Sequence, residues 1–137
     1  MSSGATVKKA SVEVRVIYGD TDQMGVVYYG NYLRYFEAAR GALIRASGVS
    51  YGDIERSGYL LPVIEAHVRY LQPARYDDLL TVELTVEKVR GASVRFTYRV
   101  TKGEELLAEG FTEHACLGPG GRPARIPAEM RRMLEVV

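Results

Sequence analysis

The chain has 137 residues, 47% hydrophobic and 26% charged, which suits one globular domain spanning 1–137 around a single core. Lys and Arg number 18 against 17 Asp and Glu, so the overall balance excludes the strongly basic character of a nucleic-acid protein. Cys116 is the single cysteine, which excludes an intrachain disulfide and a Cys-rich structural zinc site. The opening Met-Ser-Ser-Gly-Ala-Thr-Val lacks the apolar run of a secretory signal, and no later segment is apolar for the length of a membrane span. A soluble, cytoplasmic protein is expected.

The first ten residues read as frayed. From Ser11 to Tyr18, Val12, Val14, Val16 and Tyr18 alternate against Ser11, Glu13 and Arg15 at the period of a half-buried strand. The period changes over Asn31 to Ser47, where Tyr32, Tyr35, Phe36, Ala39, Leu43 and Ala46 recur three or four apart and Arg34, Glu37 and Arg45 mark a narrow polar side. This predicts a central helix, closed by Gly48 in a left-handed cap. Ser50 and Asp53 can start a short second helix that Gly58 ends.

From Pro62 the chain reads as a meander of four strands, Val63 to Leu71, Leu79 to Val89, Val94 to Thr101 and Leu106 to Leu117, with hairpins at Arg90-Gly91-Ala92 and Lys102-Gly103-Glu104. Leu80, Val82, Leu84 and Val86 share one strand face, as do Val94, Phe96, Tyr98 and Val100, so one face of the sheet is buried. A Gly- and Pro-rich loop follows, and Pro127 opens a C-terminal helix through Met130 and Leu134. The order predicts an α+β fold in which a curved antiparallel sheet wraps one long helix.

Chemistry concentrates between the first strand and that helix. Asp20 and Asp22 sit in a turn leading into a helix N-terminus, whose free N–H groups and partial positive charge can keep a carboxylate ionised and polarise a substrate carbonyl. The same residues can instead shape the turn or cap the helix, and Asp20 is the more structural of the two. A calcium loop is rejected, because Met24 cannot coordinate and Asn31 stands where the closing Glu belongs. No metal is expected. By spacing, Glu65 shares a strand face with Val63, His67 and Arg69, as a second base or as an ordinary charged face. His114 and Cys116 share a face too; a Cys-His nucleophile is weighed against a buried small hydrophobe, and the latter is preferred.

The segment from Tyr18 to Tyr32, Tyr-Gly-Asp-Thr-Asp-Gln-Met-Gly-Val-Val-Tyr-Tyr-Gly-Asn-Tyr, resembles the active-site loop of the hotdog-fold acyl-CoA thioesterases of the 4-hydroxybenzoyl-CoA thioesterase family. Leu61 to Val82 and Val89 to Val94 carry the resemblance further along the chain. It implies the hotdog fold, homodimers or homotetramers with active sites at subunit interfaces, an acyl-CoA substrate, and no cofactor beyond the coenzyme A of the substrate. It assigns Asp22 as the attacking or water-activating carboxylate and the backbone N–H of Tyr29 as the donor to the carbonyl oxygen. Some relatives, notably the Tol-Pal-associated thioesterases, carry His where this chain has Tyr29, so no side-chain acid is carried over there. Tyr28, Gly30 and Asn31 are assigned to substrate binding and Ser93 to the thioester region. Lys88 and Arg90 are candidates for the phosphates of CoA, and Glu65 for a supporting catalytic role. The alternative is an acyl-thioester binding module without catalysis.

Overall fold

The computed structural model describes residues 8–135; of the ten residues expected to fray, 1–7 lie outside these, and Lys9 and Ala10 are already strand, paired with Thr85 and Leu84. In chain order the elements are β1 (Lys9–Arg15), α1 (Asn31–Ser47), α2 (Tyr51–Arg56), β2 (Val63–Tyr70), β3 (Leu79–Val89), β4 (Ser93–Lys102), β5 (Glu105–Ala115) and α3 (Ala128–Leu134). The strands form one antiparallel sheet in the order β1-β3-β4-β5-β2. One antiparallel sheet packed on one long helix is the α+β arrangement that the element order predicts and the hotdog fold that the resemblance implies.

Helix α1 ends at Gly48, whose φ of 74° a β-carbon would penalise. Tyr32, Tyr35, Phe36, Ala39 and Leu43 are buried along it, whereas Ala46 is exposed because the last turn has passed the core. The inner faces of β3 and β4 supply the opposing layer, with Leu80, Val82, Leu84, Val94, Tyr98 and Val100 at 1% exposure or less. Phe36 stacks on Tyr98 with ring centroids 4.0 Å apart, joining helix to sheet at the centre. Ser50 caps α2 by accepting the Asp53 N–H.

Three strand limits differ from the sequence expectation by more than one residue: β1 starts at Lys9, two residues before Ser11, and both β1 and β5 end early. β1 stops at Arg15 instead of Tyr18, because Ile17 donates its N–H to the Asp20 carboxylate and Tyr18–Asp20 coil into a 3₁₀ turn. β5 stops at Ala115, where Cys116 and Leu117 turn to bond the backbones of Ala92 and Leu60.

β2 is an edge strand paired to β5 on one side only. Its register slips between Val63, opposite His114, and Glu65, opposite Glu113. The extra residue, Ile64, forms a β-bulge that reverses the facing of everything before it. Val63 therefore joins the inner face with His114, while Glu65, His67 and Arg69 lie on the outer face. There His67 stacks on Phe111 and Arg69 pairs with Glu109. Val63 and Glu65 thus do not share a face, contrary to the period-two reading.

Candidate active site

The loop between β1 and α1 is built on Asp20. Its carboxylate, 4% exposed as a residue, accepts from the Ile17 N–H at 3.2 Å and the Tyr35 hydroxyl at 2.9 Å, and it pairs with Arg34. Its carbonyl accepts from the Tyr28 N–H at 3.0 Å and the Asn31 side-chain amide at 2.8 Å. One residue thus ties the end of β1 to the first turn of α1. Burial, then the bond to Asp20, pushes the Tyr35 hydroxyl far above its ordinary pKa, so Tyr35 remains a donor.

Between those anchors, residues 21–27 form a small hairpin closed by the Thr21–Val27 bridge. The Val27 N–H is held by the Ala74 carbonyl at 2.9 Å. Asp22 opens the turn: its carbonyl accepts from Gly25, which has a φ of 80°, and its Oδ1 accepts from the Met24 N–H at 2.8 Å. The carboxylate is partly exposed and its other oxygen has no protein partner among the described residues. The hairpin returns the chain to Tyr29 and Gly30, at the start of α1. Neither of their N–H groups donates to another described residue. These are the orphan donors of a helix N-terminus.

Aromatic rings bound this corner. Val26, Val27, Tyr29, Tyr32, Tyr70 and Pro73 surround a cleft of about 220 Å³. Tyr70, from the end of β2, packs against Tyr29 and Tyr32 at centroid distances of 5.3 and 5.2 Å and donates its hydroxyl to the Tyr29 carbonyl at 3.0 Å. Nothing in the sequence singles out Tyr70, which lies 41 residues from its partner. Tyr28 is exposed beside Tyr29, and Asn31 spends its side chain on the Asp20 carbonyl.

The match of residues 16–134 to the family model of the thioesterase-like superfamily covers every element after β1. The chain belongs to that superfamily. It is 34% identical over 123 residues to the acyl-CoA thioesterase YbgC of Haemophilus influenzae, covering 88% of this chain and 90% of that one. Against the acyl-CoA thioester hydrolase YbgC of Escherichia coli O157:H7 it is 36% identical over 107 residues, 77% of this chain and 80% of that one. The crystal structure of TT1821 from Thermus thermophilus superimposes with a TM-score of 0.85 at 38% identity, over 91% of this chain and 96% of that one. This superfamily member is a thioester hydrolase of the hotdog fold.

Other residues singled out in the sequence lie elsewhere in the protomer. Glu65 faces outward opposite Glu113. Lys88, Arg90 and Ser93 surround the β3–β4 hairpin, whereas the loop side of β3 is Leu79, paired with Arg15. The ten steps between these ends span roughly 33 Å. Arg90 is already paired with Glu113 at 3.1 Å, and Glu113 also accepts from Arg95 at 2.9 Å. Asp77, with a φ of 70°, and Asp78, which accepts the Arg75 N–H at 2.9 Å, shape the turn before β3.

His114 and Cys116 make no nucleophilic pair. The two nitrogens of His114 contact the Leu61 carbonyl and the Thr112 hydroxyl, each at 2.9 Å. Burial, reinforced by the Arg40 charge and opposed by the Leu61 bond, brings its pKa down to about 4, so the ring is neutral. Burial pushes the Cys116 thiol up, away from thiolate. Among the described residues no three His, Cys, Asp or Glu side chains cluster as a metal site requires, and no helix is long and apolar enough to cross a membrane.

Proposed function

We propose that this chain hydrolyses acyl-CoA thioesters to CoA and a free acid, with Asp22 as nucleophile or general base and the Tyr29 N–H as partner of the thioester carbonyl oxygen. The single observation that carries this reading is the unbonded Tyr29 N–H at the start of α1, in a loop whose other end holds a half-free Asp22 carboxylate. As negative charge develops on the carbonyl oxygen, a fixed N–H at a helix N-terminus stabilises it without reorganising; losing such a donor costs roughly 10²–10³ in rate.

As nucleophile, the free Asp22 oxygen attacks the carbonyl carbon and the CoA thiolate leaves, giving an acyl-aspartyl anhydride that water then opens. As base, Asp22 takes a proton from water while the resulting hydroxide attacks, and that proton passes to the departing thiolate. Both routes balance without a metal or a cofactor beyond the CoA of the substrate. Names of the relatives support the acyl-CoA class, and the aromatic cleft at Tyr29, Tyr32 and Tyr70 offers apolar walls for the substrate. Glu65 takes no step in this reading.

We also infer that two copies pair through β2. The strand is an exposed sheet edge, with Val63, Ile64 and Tyr70 at 46%, 62% and 45% exposure. An open apolar edge is a ready template for a second strand. Lys88, Arg90 and Ser93 belong to this reading only as CoA contacts from a neighbouring subunit.

The test is thiol release from a panel of aryl-, short- and long-chain acyl-CoA esters by the protein and by Asp22→Asn of confirmed fold. Hydrolysis lost in the variant supports the assignment; a panel that is bound and never cleaved replaces it with a binding module. Single turnover in ¹⁸O-water separates the two roles: with Asp22 as base the label enters the product acid, whereas an anhydride opened at the aspartyl carbon leaves the product unlabelled and the label on Asp22.

A further inference from the structure

Behind the middle of α1 lies a second cavity, distinct from the cleft at Tyr29. It measures about 70 Å³, with Leu43, Ile44, Leu61 and Phe96 among its apolar walls, and Arg40 and His114 supply its polar ones. An open cleft of about 450 Å³ adjoins it, with Arg40, Ile44, Leu61, Val63 and His114 among its walls, and the exposed Glu37, one turn before Arg40, lines it too.

The polar wall is ordered in one direction. Arg40 donates to the Tyr98 hydroxyl at 3.0 Å, which leaves the Tyr98 proton for Thr112 at 2.6 Å. The Thr112 proton then goes to Nε2 of His114, and Nδ1–H of His114 donates to the Leu61 carbonyl. Every member beyond Arg40 is satisfied by this chain of bonds. Arg40 is not. Among the described residues it has no carboxylate partner; Arg15, Arg45, Arg75, Arg99, Arg122, Arg125 and Arg132 also have none, but all of these are exposed and Arg40 is half-buried. Its one bond to a described residue uses one of the five N–H groups of a guanidinium. A half-buried fork of donors, tied by one prong and backed by a neutral histidine, is suited to bind an oxyanion.

We propose that the Arg40 cavity is the distal acyl subsite of this hydrolase and takes an acyl group whose far end carries a carboxylate. The apolar walls hold the chain and Arg40 holds its terminus. This subsite rests on the hydrolase and pairing readings given above. Within one chain the nine residues from Asn31 to Arg40 place the guanidinium roughly 14 Å along the helix, beyond the reach of a short acyl group. Antiparallel pairing of two β2 strands about their midpoint sets Val63 of each copy beside the Tyr70 end of the other. Since Val63 lines the Arg40 cleft and Tyr70 bonds Tyr29, each cleft then opens beside the other copy's Tyr29.

Adipoyl-CoA and hexanoyl-CoA, equal in carbon count and differing at the terminus, test this. The ratio of kcat/KM for adipoyl-CoA over hexanoyl-CoA should exceed one in the protein and fall by about tenfold or more in Arg40→Met, chiefly through KM, with Arg40→Lys between. An unchanged ratio in Arg40→Met overturns the subsite. Free adipate should raise the Tm of the protein and not of Arg40→Met, a readout independent of turnover; no shift with adipate overturns the subsite, and hydrolysis of the esters then leaves the enzyme reading intact. A Tm shift confined to the unaltered protein, with neither ester cleaved, keeps the subsite and removes the enzyme reading. Mixing Asp22→Asn with Arg40→Met should restore adipoyl-CoA hydrolysis in mixed pairs, and no restoration overturns the assignment across subunits.

Discussion

The Tyr70 hydroxyl donates to the carbonyl of Tyr29, the residue whose own N–H is unbonded at the helix start. An edge-strand side chain therefore fixes the peptide that follows the proposed oxyanion donor. Tyr70→Phe keeps the ring contacts and removes one hydrogen bond, worth about 1 kcal/mol. Thioester turnover should fall about fivefold with KM little changed, read by steady-state thiol release.

Asp20→Ala strands the Tyr35 hydroxyl and the Ile17 N–H and frees Arg34. Leaving the buried Tyr35 hydroxyl and the part-buried Ile17 N–H without an acceptor should destabilise the fold by about 2 kcal/mol, most of it from Tyr35 because Arg34 is half exposed to water. Urea denaturation should show this loss, and activity at 25 °C should also drop because Asp22 and Tyr29 lose their common anchor.

His114 ties stability to pH. Its folded pKa of about 4 lies below the ordinary 6.5, so the unfolded chain binds the proton first and stability falls as pH drops through that window. The loss should reach about 3 kcal/mol by pH 4 and saturate below it. His114→Gln, which can still bridge Leu61 and Thr112, should flatten this part of the stability profile in denaturant titrations from pH 7 to 4.

A methyl added at Gly110 would strike the His67 carbonyl oxygen across the β2–β5 ladder and approach Cε2 of Phe36 to 3.2 Å. Gly110→Ala should cost about 2 kcal/mol or more, and hydrogen exchange should speed up first in β2.

Ile64→Lys places a charge on the open edge, where it is cheap in a single copy and opposes pairing with a second. Light scattering should show the mass falling to that of one chain, with the circular dichroism unchanged.

Much of the fold is legible in the sequence, because strands half buried in one sheet declare themselves by alternation. β3 has the limits its pattern predicts, and α1 stops where Gly48 says it should. The site is legible in part. Asp22 and Tyr29 stand out through a local motif, and Cys116 is correctly read as buried. Tyr70 and Arg40 do not stand out, since what distinguishes them is a partner 41 and 58 residues away. Val63 is misread for a different reason: period-two counting sets it on the face of Glu65, His67 and Arg69 by assuming an unbroken ladder, and a bulge leaves no residue type that betrays it.

That bulge makes the contents of the Arg40 cleft a matter of chain length as much as of residue identity. Removing Ile64 would straighten β2 and offer its Pro62–Val63 end to the sheet with opposite facing, withdrawing Val63 from the cleft without altering any residue that lines it. Among hotdog hydrolases, a single-codon deletion at this position could thus retune acyl preference where an alignment scored by substitutions would show every pocket residue retained.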